Sequence, residues 1–228
     1  MVGSGKANGM SKRLSREIDR LKRDVLALSA IVEEAVSKAV RAVGERDRAL
    51  AQCVIDADQT VDHEEIEIEE DCLKILALYQ PVALDLRFVV AVLKLNNDLE
   101  RIADYAVNIA EQVEPLMTDG DKPYPIDVMP MARKAQSMLR RVLDALVERD
   151  AEAAARVCAA DDEVDEMHRH VYARVKLLCQ QQPEQATTLI HLLSVSRYLE
   201  RIADLATNIA EDVIYMTNGE IVRHGGVS

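Results

Sequence analysis

Apolar side chains along this chain recur at spacings of three and four, not two. Leu21, Val25, Leu28, Val32, Ala35 and Ala39 fall on one stripe of a 3.6-residue helix, which predicts a first helix from about Ser15 to Val43. Gly44 suits a C-terminal stop and Asp47 an N-cap, so a second helix runs to about Leu78; Pro81 turns the corner into a third that ends near Val113. Pro115 to Pro125, with Gly120, Pro123 and several Asp, is the linker-like stretch in the middle of the chain. Beyond it the pattern predicts helices near Met129 to Glu148, Asp150 to Gln181 and Pro183 to Met216.

The pattern is also duplicated. Leu99-Glu-Arg-Ile-Ala-Asp-Tyr-Ala-Val-Asn-Ile-Ala-Glu111 recurs as Leu199-Glu-Arg-Ile-Ala-Asp-Leu-Ala-Thr-Asn-Ile-Ala-Glu211, identical at 11 of 13 positions and 100 residues apart. Upstream, Glu45-Arg46-Asp47, Ala51, Val54, Asp58, Val61 and Asp62 recur as Glu148-Arg149-Asp150, Ala154, Val157, Asp161, Val164 and Asp165, at an offset of 103. A small difference in loop length at the two corners reconciles the offsets. Long helices joined by short loops pack antiparallel. The expectation is therefore an all-α protein of two tandem three-helix bundles, six long helices in all. Residues 15–114 form the first repeat and 129–217 the second; 115–128 is the linker, 1–14 a leader expected to be disordered, and 218–228 a tail.

Composition supports helices and narrows function. Aromatics make up 3% of the 228 residues and Trp is absent, so strand formers are scarce. A net charge of -12 argues against nucleic acid as a partner, because such surfaces carry basic patches. Cys53, Cys72, Cys158 and Cys179 lack C-x-x-C spacing and fit a reducing compartment. With no apolar run of membrane-spanning length and no signal-peptide core, the expected location is the cytoplasm, without membrane insertion. The exposed faces of the first and fourth helices offer a surface for a homodimer, which nothing in the pattern requires.

The acidic residues are placed in register. On one helix Glu100, Asp104, Asn108 and Glu111 form a polar stripe bordering a core face of Leu99, Ala103, Ala106, Ile109 and Ala110, and Glu200, Asp204, Asn208 and Glu211 copy it. Asp58 and Asp62 lie one turn apart on the second helix, and Asp161 and Asp165 match them on the fifth. Antiparallel neighbours would gather each set into a four-carboxylate patch. Like charges at i and i+4 cost roughly 0.2–0.5 kcal/mol, so each patch calls for positive charge. Metal ions are one source: oxygen-rich sites of shared carboxylates suit Mg, Mn, Fe or Zn, with more than one ion per site. Arg101, Arg201, Arg87 or Arg197 on a solvated acidic face are the other. His168 follows Asp165 by three residues, a spacing that allows it to point into the second patch, but a lone histidine on a helix is more often a surface or core residue.

The two long signatures, the corner Gln80-Pro81-Val82-Ala83-Leu84-Asp85-Leu86-Arg87 and the ending Gly219-Glu-Ile-Val-Arg-His224 together resemble the PhoU family from Ser15 to His224. The resemblance implies two three-helix bundles and a negative regulator of phosphate uptake and starvation signalling. It implies an adaptor between the ATPase subunit of the phosphate ABC transporter and a sensor histidine kinase. It also implies metal clusters at Asp58, Asp62, Glu100 and Asp104 and at Asp161, Asp165, Glu200 and Asp204. The chain departs from the family where Ala103 and Ala203 replace a frequent Gly, and where Pro183-Glu-Gln-Ala-Thr187 replaces the Asp-Leu-Arg corner. Two other functions compete: a carboxylate-bridged di-metal oxidase and a metal-free helical scaffold. The oxidase class uses Glu-x-x-His, whereas Ala103 and Ala203 follow Glu100 and Glu200 by three residues.

Overall fold

Two aspartates start matching helices in the two halves. Asp47 is extended (φ -93°, ψ 98°) and its Oδ1 accepts the backbone N–H of Leu50 at 2.9 Å. Asp150 repeats the cap on Ala153 at 2.9 Å with almost the same dihedrals. Each satisfies an N–H that helix geometry leaves without a partner, which is worth about 1 kcal/mol.

The computed structural model describes residues 4–117 and 123–218. Its helices are α1 (Ser4–Glu45), α2 (Arg48–Tyr79), α3 (Ala83–Glu111), a single turn α4 (Val113–Leu116), α5 (Met129–Glu148), α6 (Ala151–Cys158), α7 (Asp161–Gln181) and α8 (Ala186–Asn218). A 3-10 turn, Pro183–Gln185, leads into α8. The six long helices predicted by the pattern are these, with α6 and α7 as one helix broken in two, and no strand occurs among the described residues. Residues 1–3, the centre of the linker (118–122) and the tail from 219, including the Gly219 to His224 landmark, lie outside the described residues.

Three boundaries differ from expectation. Helix α1 begins at Ser4, inside the leader expected to be disordered, because adding residues to an existing helix costs little once it is nucleated. Gly44 does not stop α1; the chain leaves the helix at Arg46, whose φ is 55°. The Arg46 guanidinium lies 4.3 Å over the Tyr124 ring, and the Tyr124 hydroxyl donates to Val43 O at 3.1 Å. Gly44 serves packing: a Cβ there would meet Met129 Cε at 3.3 Å. The fifth helix breaks at Ala159 and Ala160, where Ala160 N–H bonds Val157 O at 2.9 Å, an i to i-3 step that tightens the ladder. The break places Asp161, Asp162 and Glu163 in the first turn of a fresh helix, whose exposed N–H groups favour negative charge.

Helices α1, α2 and α3 pack on one another, as do α5 to α8, and the two sets share one continuous core. They join chiefly through α3 against α8, with α1 against α5 as a second seam. Lys94 meets Asp212, Tyr105 meets Tyr198 and Gln112 meets His191, so numbering rises along α3 as it falls along α8 and the pair is antiparallel. Both helices are therefore buried on two sides. Leu99 and Leu199 are fully buried, each contributing roughly 1.5–3 kcal/mol. Ala103, Ala106 and Ala110, with Ala203, Ala206 and Ala210, line the close approaches. No described helix is long and apolar enough to cross a membrane.

Candidate carboxylate sites on the two signature helices

In the first half, α2 and α3 run side by side with their acidic stripes facing. Glu100 and Asp104 on α3 are opposed by Asp58, Asp62 and Glu65 on α2. The carboxyls of Asp58, Glu100 and Asp104 all lie above their ordinary range, first because of partial burial and then because of their neighbours' charge. Asp58 feels Asp62 and Asp104; Glu100 feels Asp104, Glu65, Asp62 and Asp58. The four predicted residues are thus one electrostatic unit. Among the described residues none of the four forms an ion pair, so no direct contact offsets the repulsion, although Lys38 lines the same hollow as Asp58. That hollow, of about 100 Å3 and large enough for water, opens beside Asp58 against Ala57, Val61, Ala103 and Val107.

Glu65 belongs to this patch and was not among the predicted residues. Its carboxyl is raised by burial and by Glu69 and Asp62, and Asn96 Nδ2 donates both to its Oε1 (3.3 Å) and to its backbone oxygen (2.8 Å). A sequence signal existed: Glu65 stands seven residues after Asp58, on the same helical face.

The second half copies the frame and changes the contents. Asp161 is pushed up to about 6, first by burial and then by Asp204 and Asp165. Its Oδ1 is buried without a hydrogen-bond partner, as is Thr207 Oγ1, so the hydroxyl opposes the shift from nearby without reaching bonding geometry. Asp204 is raised by burial, against the pull of Arg201. Arg201 Nη1 donates to Asp204 at 3.1 Å and Arg201 Nε lies 3.8 Å from Glu200. Asp161, Asp165 and Asp204 therefore come together, while Glu200 is turned to its arginine.

The arginine explanation for the acidic face thus holds in one half. Arg101, the counterpart of Arg201, lies 3.8 Å from Asp98 and forms no ion pair with Glu100 or Asp104 among the described residues. Arg87 and Arg197 form none with either patch. At offset 100, Asp98 corresponds to Tyr198, which stacks on Tyr105 with centroids 6.0 Å apart.

His168 takes the place of Glu65 and Ser196 that of Asn96. His168 Nδ1 and Ser196 Oγ are 3.0 Å apart, and Ser196 donates its one proton to Leu193 O at 2.9 Å. The hydroxyl then accepts from Nδ1–H.

The donor chemistry suits a cation: four or five carboxylates in the first patch, and three aspartates with an orphaned buried oxygen in the second. As the side chains stand, no three His, Cys, Asp or Glu among the described residues converge tightly enough to grip one ion. Rotamer changes at exposed groups such as Asp62 and Asp104 would have to close the ligand set.

Comparison with known proteins gives the same two halves. The PhoU domain model matches residues 25–113 and again 128–213. A Pseudomonas putida phosphate-specific transport system accessory protein PhoU homolog is 34% identical over 219 residues, covering 96% of this chain and 86% of the relative. One from Aquifex aeolicus is 36% identical over 213 residues, covering 93% and 96%. The crystal structure of PhoU from Pseudomonas aeruginosa superposes with a TM-score of 0.87 at 33% identity, covering 90% of this chain and 99% of that one. The phosphate transport system regulatory protein PhoU from Streptococcus pneumoniae gives 0.81 at 29%, covering 92% and 100%.

Proposed function

Because the chain belongs to the PhoU family, we propose that it is an accessory regulator of phosphate transport, a non-catalytic adaptor that restrains phosphate uptake and phosphate-starvation signalling. The observation that carries this reading is the match to relatives named as accessory proteins of the phosphate-specific transport system, across both repeats and nearly the whole chain. Its partners in this reading are the ATPase subunit of the phosphate ABC transporter and a sensor histidine kinase, met in the cytoplasm. A rigid pair of bundles with a shared core suits an adaptor, since it presents two fixed faces at once.

Metal ions are part of the proposal. Asp58, Asp62, Glu100 and Asp104, with Glu65 beside them, would hold ions of the Mg, Mn, Fe or Zn class in the first half. Asp161, Asp165 and Asp204, with Glu200 once freed from Arg201, would do so in the second. A bound cation supplies the charge that the first patch lacks and so joins α2 to α3. The oxidase alternative fares poorly on these residues: its second motif ligand would fall at Ala103 and Ala203, both buried in the core.

Affinity purification of the full chain from phosphate-replete cells tests the adaptor directly. Recovery of the transporter ATPase subunit or the sensor kinase is expected. Recovery of neither under crosslinking, with both present in the lysate, would overturn it. Normal repression of starvation genes in a deletion strain would do the same.

A further inference from the structure

Where α1 and α5 meet, on a face lined by none of the eight patch acids, the surface changes sign. A groove of about 290 Å3 is lined by Glu33 and Ser37 from α1 and by Arg133, Ser137, Arg140 and Arg141 from α5. The α5 residues share one helical face, so three guanidinium groups open into one groove of a protein whose net charge is -12.

The charges facing that groove are unequal. Arg140 Nε donates to Glu33 Oε1 at 2.8 Å, and Asp144 lies within electrostatic reach of the same guanidinium. The Glu33 contact uses one of its five donors and fixes the plane of the fork. Arg133 and Arg141 form no ion pair and no hydrogen bond among the described residues. Positive charge therefore remains after the local acids are counted.

The duplication adds an independent argument. At the offset of 103 that aligns the Glu-Arg-Asp turns, Arg133 and Arg140 stand where the first half has Ala30 and Ser37, while Arg141 stands at Lys38. The fold thus builds the corresponding face of α1 with one cation where α5 has three.

We propose that this groove binds small anions carrying two or more linked phosphate groups, either free pyrophosphate or short polyphosphate, or the phosphate tail of a nucleotide. Guanidinium forks match phosphate oxygens in pairs. Arg133 and Arg140 are about 10 Å apart along α5 at roughly 1.5 Å per residue, so their forks address two anionic centres better than one. The hydroxyls of Ser37 and Ser137 add donors between them. At about 30 Å3 per water, the groove has room for a phosphate chain. The site gives the protein a small-molecule input and does not depend on the partners or metals proposed above.

Calorimetric titration of the full chain, in EDTA and at fixed ionic strength, tests it with pyrophosphate, ATP, orthophosphate and oligo-aspartate. Pyrophosphate and ATP should bind saturably at one site, and orthophosphate about ten-fold more weakly or worse, having a single centre. Equal affinities for pyrophosphate and ATP assign the phosphate chain itself; a tighter ATP assigns the nucleotide as source. Arg133→Ala with Arg141→Ala should weaken pyrophosphate about ten-fold or more with unchanged Tm, and the matching Lys pair should weaken it less, keeping charge but losing the fork. Absence of saturable binding, an affinity unmoved in the Ala pair, or orthophosphate or oligo-aspartate binding as tightly as pyrophosphate would overturn the proposal. Because no partner protein is present, such a failure leaves the co-purification result untouched.

Discussion

Asp98 Oδ1 lies 3.8 Å from Arg101 Nη1, one turn away on α3, and this contact distinguishes the two halves of the molecule. Tyr198 holds the matching place on α8, where it cannot attract a cation as a carboxylate does, and Arg201 folds onto Asp204 and Glu200 instead. The patch without an arginine and the patch with one follow from that exchange.

Asp98 itself should respond to pH. Its carboxyl is pushed up to about 6, chiefly by burial, with Arg101 and Lys94 opposing and Asp212 adding to the shift. Between the ordinary value of 3.8 and about 6 the folded state holds more protons than the unfolded chain, so stability rises as pH falls through this window. Asp98→Asn should flatten that rise. It should exceed the parent in stability above pH 6 by on the order of 1 kcal/mol, after allowing for solvent screening, and converge with it near pH 4. Urea unfolding at pH 7.5 and 4.5 measures the difference.

Removing Arg201 should strengthen cation binding in the second half. Arg201→Ala takes away the charge that competes for Asp204 and Glu200, so manganese affinity there should rise by about ten-fold, while Arg101→Ala should leave the first patch nearly unchanged. Titration calorimetry with manganese gives both values. Asp58→Asn with Asp104→Asn should remove the first-patch ions, read as metal per chain after equilibrium dialysis.

Ala106 is fully buried on α3, where small residues allow close helix approach. Ala106→Leu should cost about 1–3 kcal/mol by overpacking, and guanidinium unfolding followed by circular dichroism will report it as a lower midpoint. Ala57→Leu, on an exposed position of α2, should cost far less.

Gln80 closes α2 in the left-handed region, at φ 47° and ψ 59°. A side chain there is strained, so Gln80→Gly should stabilise the protein by up to about 1 kcal/mol and Gln80→Val should destabilise it. The thermal midpoints of the two variants should move in opposite directions.

Much of the frame could be read from the residues. The period of the apolar stripes and the duplicated signature located the long helices, and Asp47 announced its cap. Gly44 misled, because a glycine in a helix can serve a neighbour's packing as well as a stop; only Met129, far away in sequence, explains it. The eight predicted acids assembled into two groups, but Glu200 is held by Arg201 and Glu65 joins the first group. The fate of Glu200 turns on which carboxylate its neighbouring arginine takes, set within each helix by the residue at 98 or 198, where periodicity carries no information; Glu65 could have been found from its place on the Asp58 face. The break before Asp161 depends on a one-residue change of hydrogen-bond pattern in an alanine run, which has no composition signal.

Gene duplication begins with two equal copies of a site, and the usual route to making them differ is to alter the residues that form it. Here the acids stayed the same at all four matching positions, and a change one turn away redirected an arginine. Selection can then tune one half without touching the four acids that both halves share, so the two copies are able to diverge while those acids stand still.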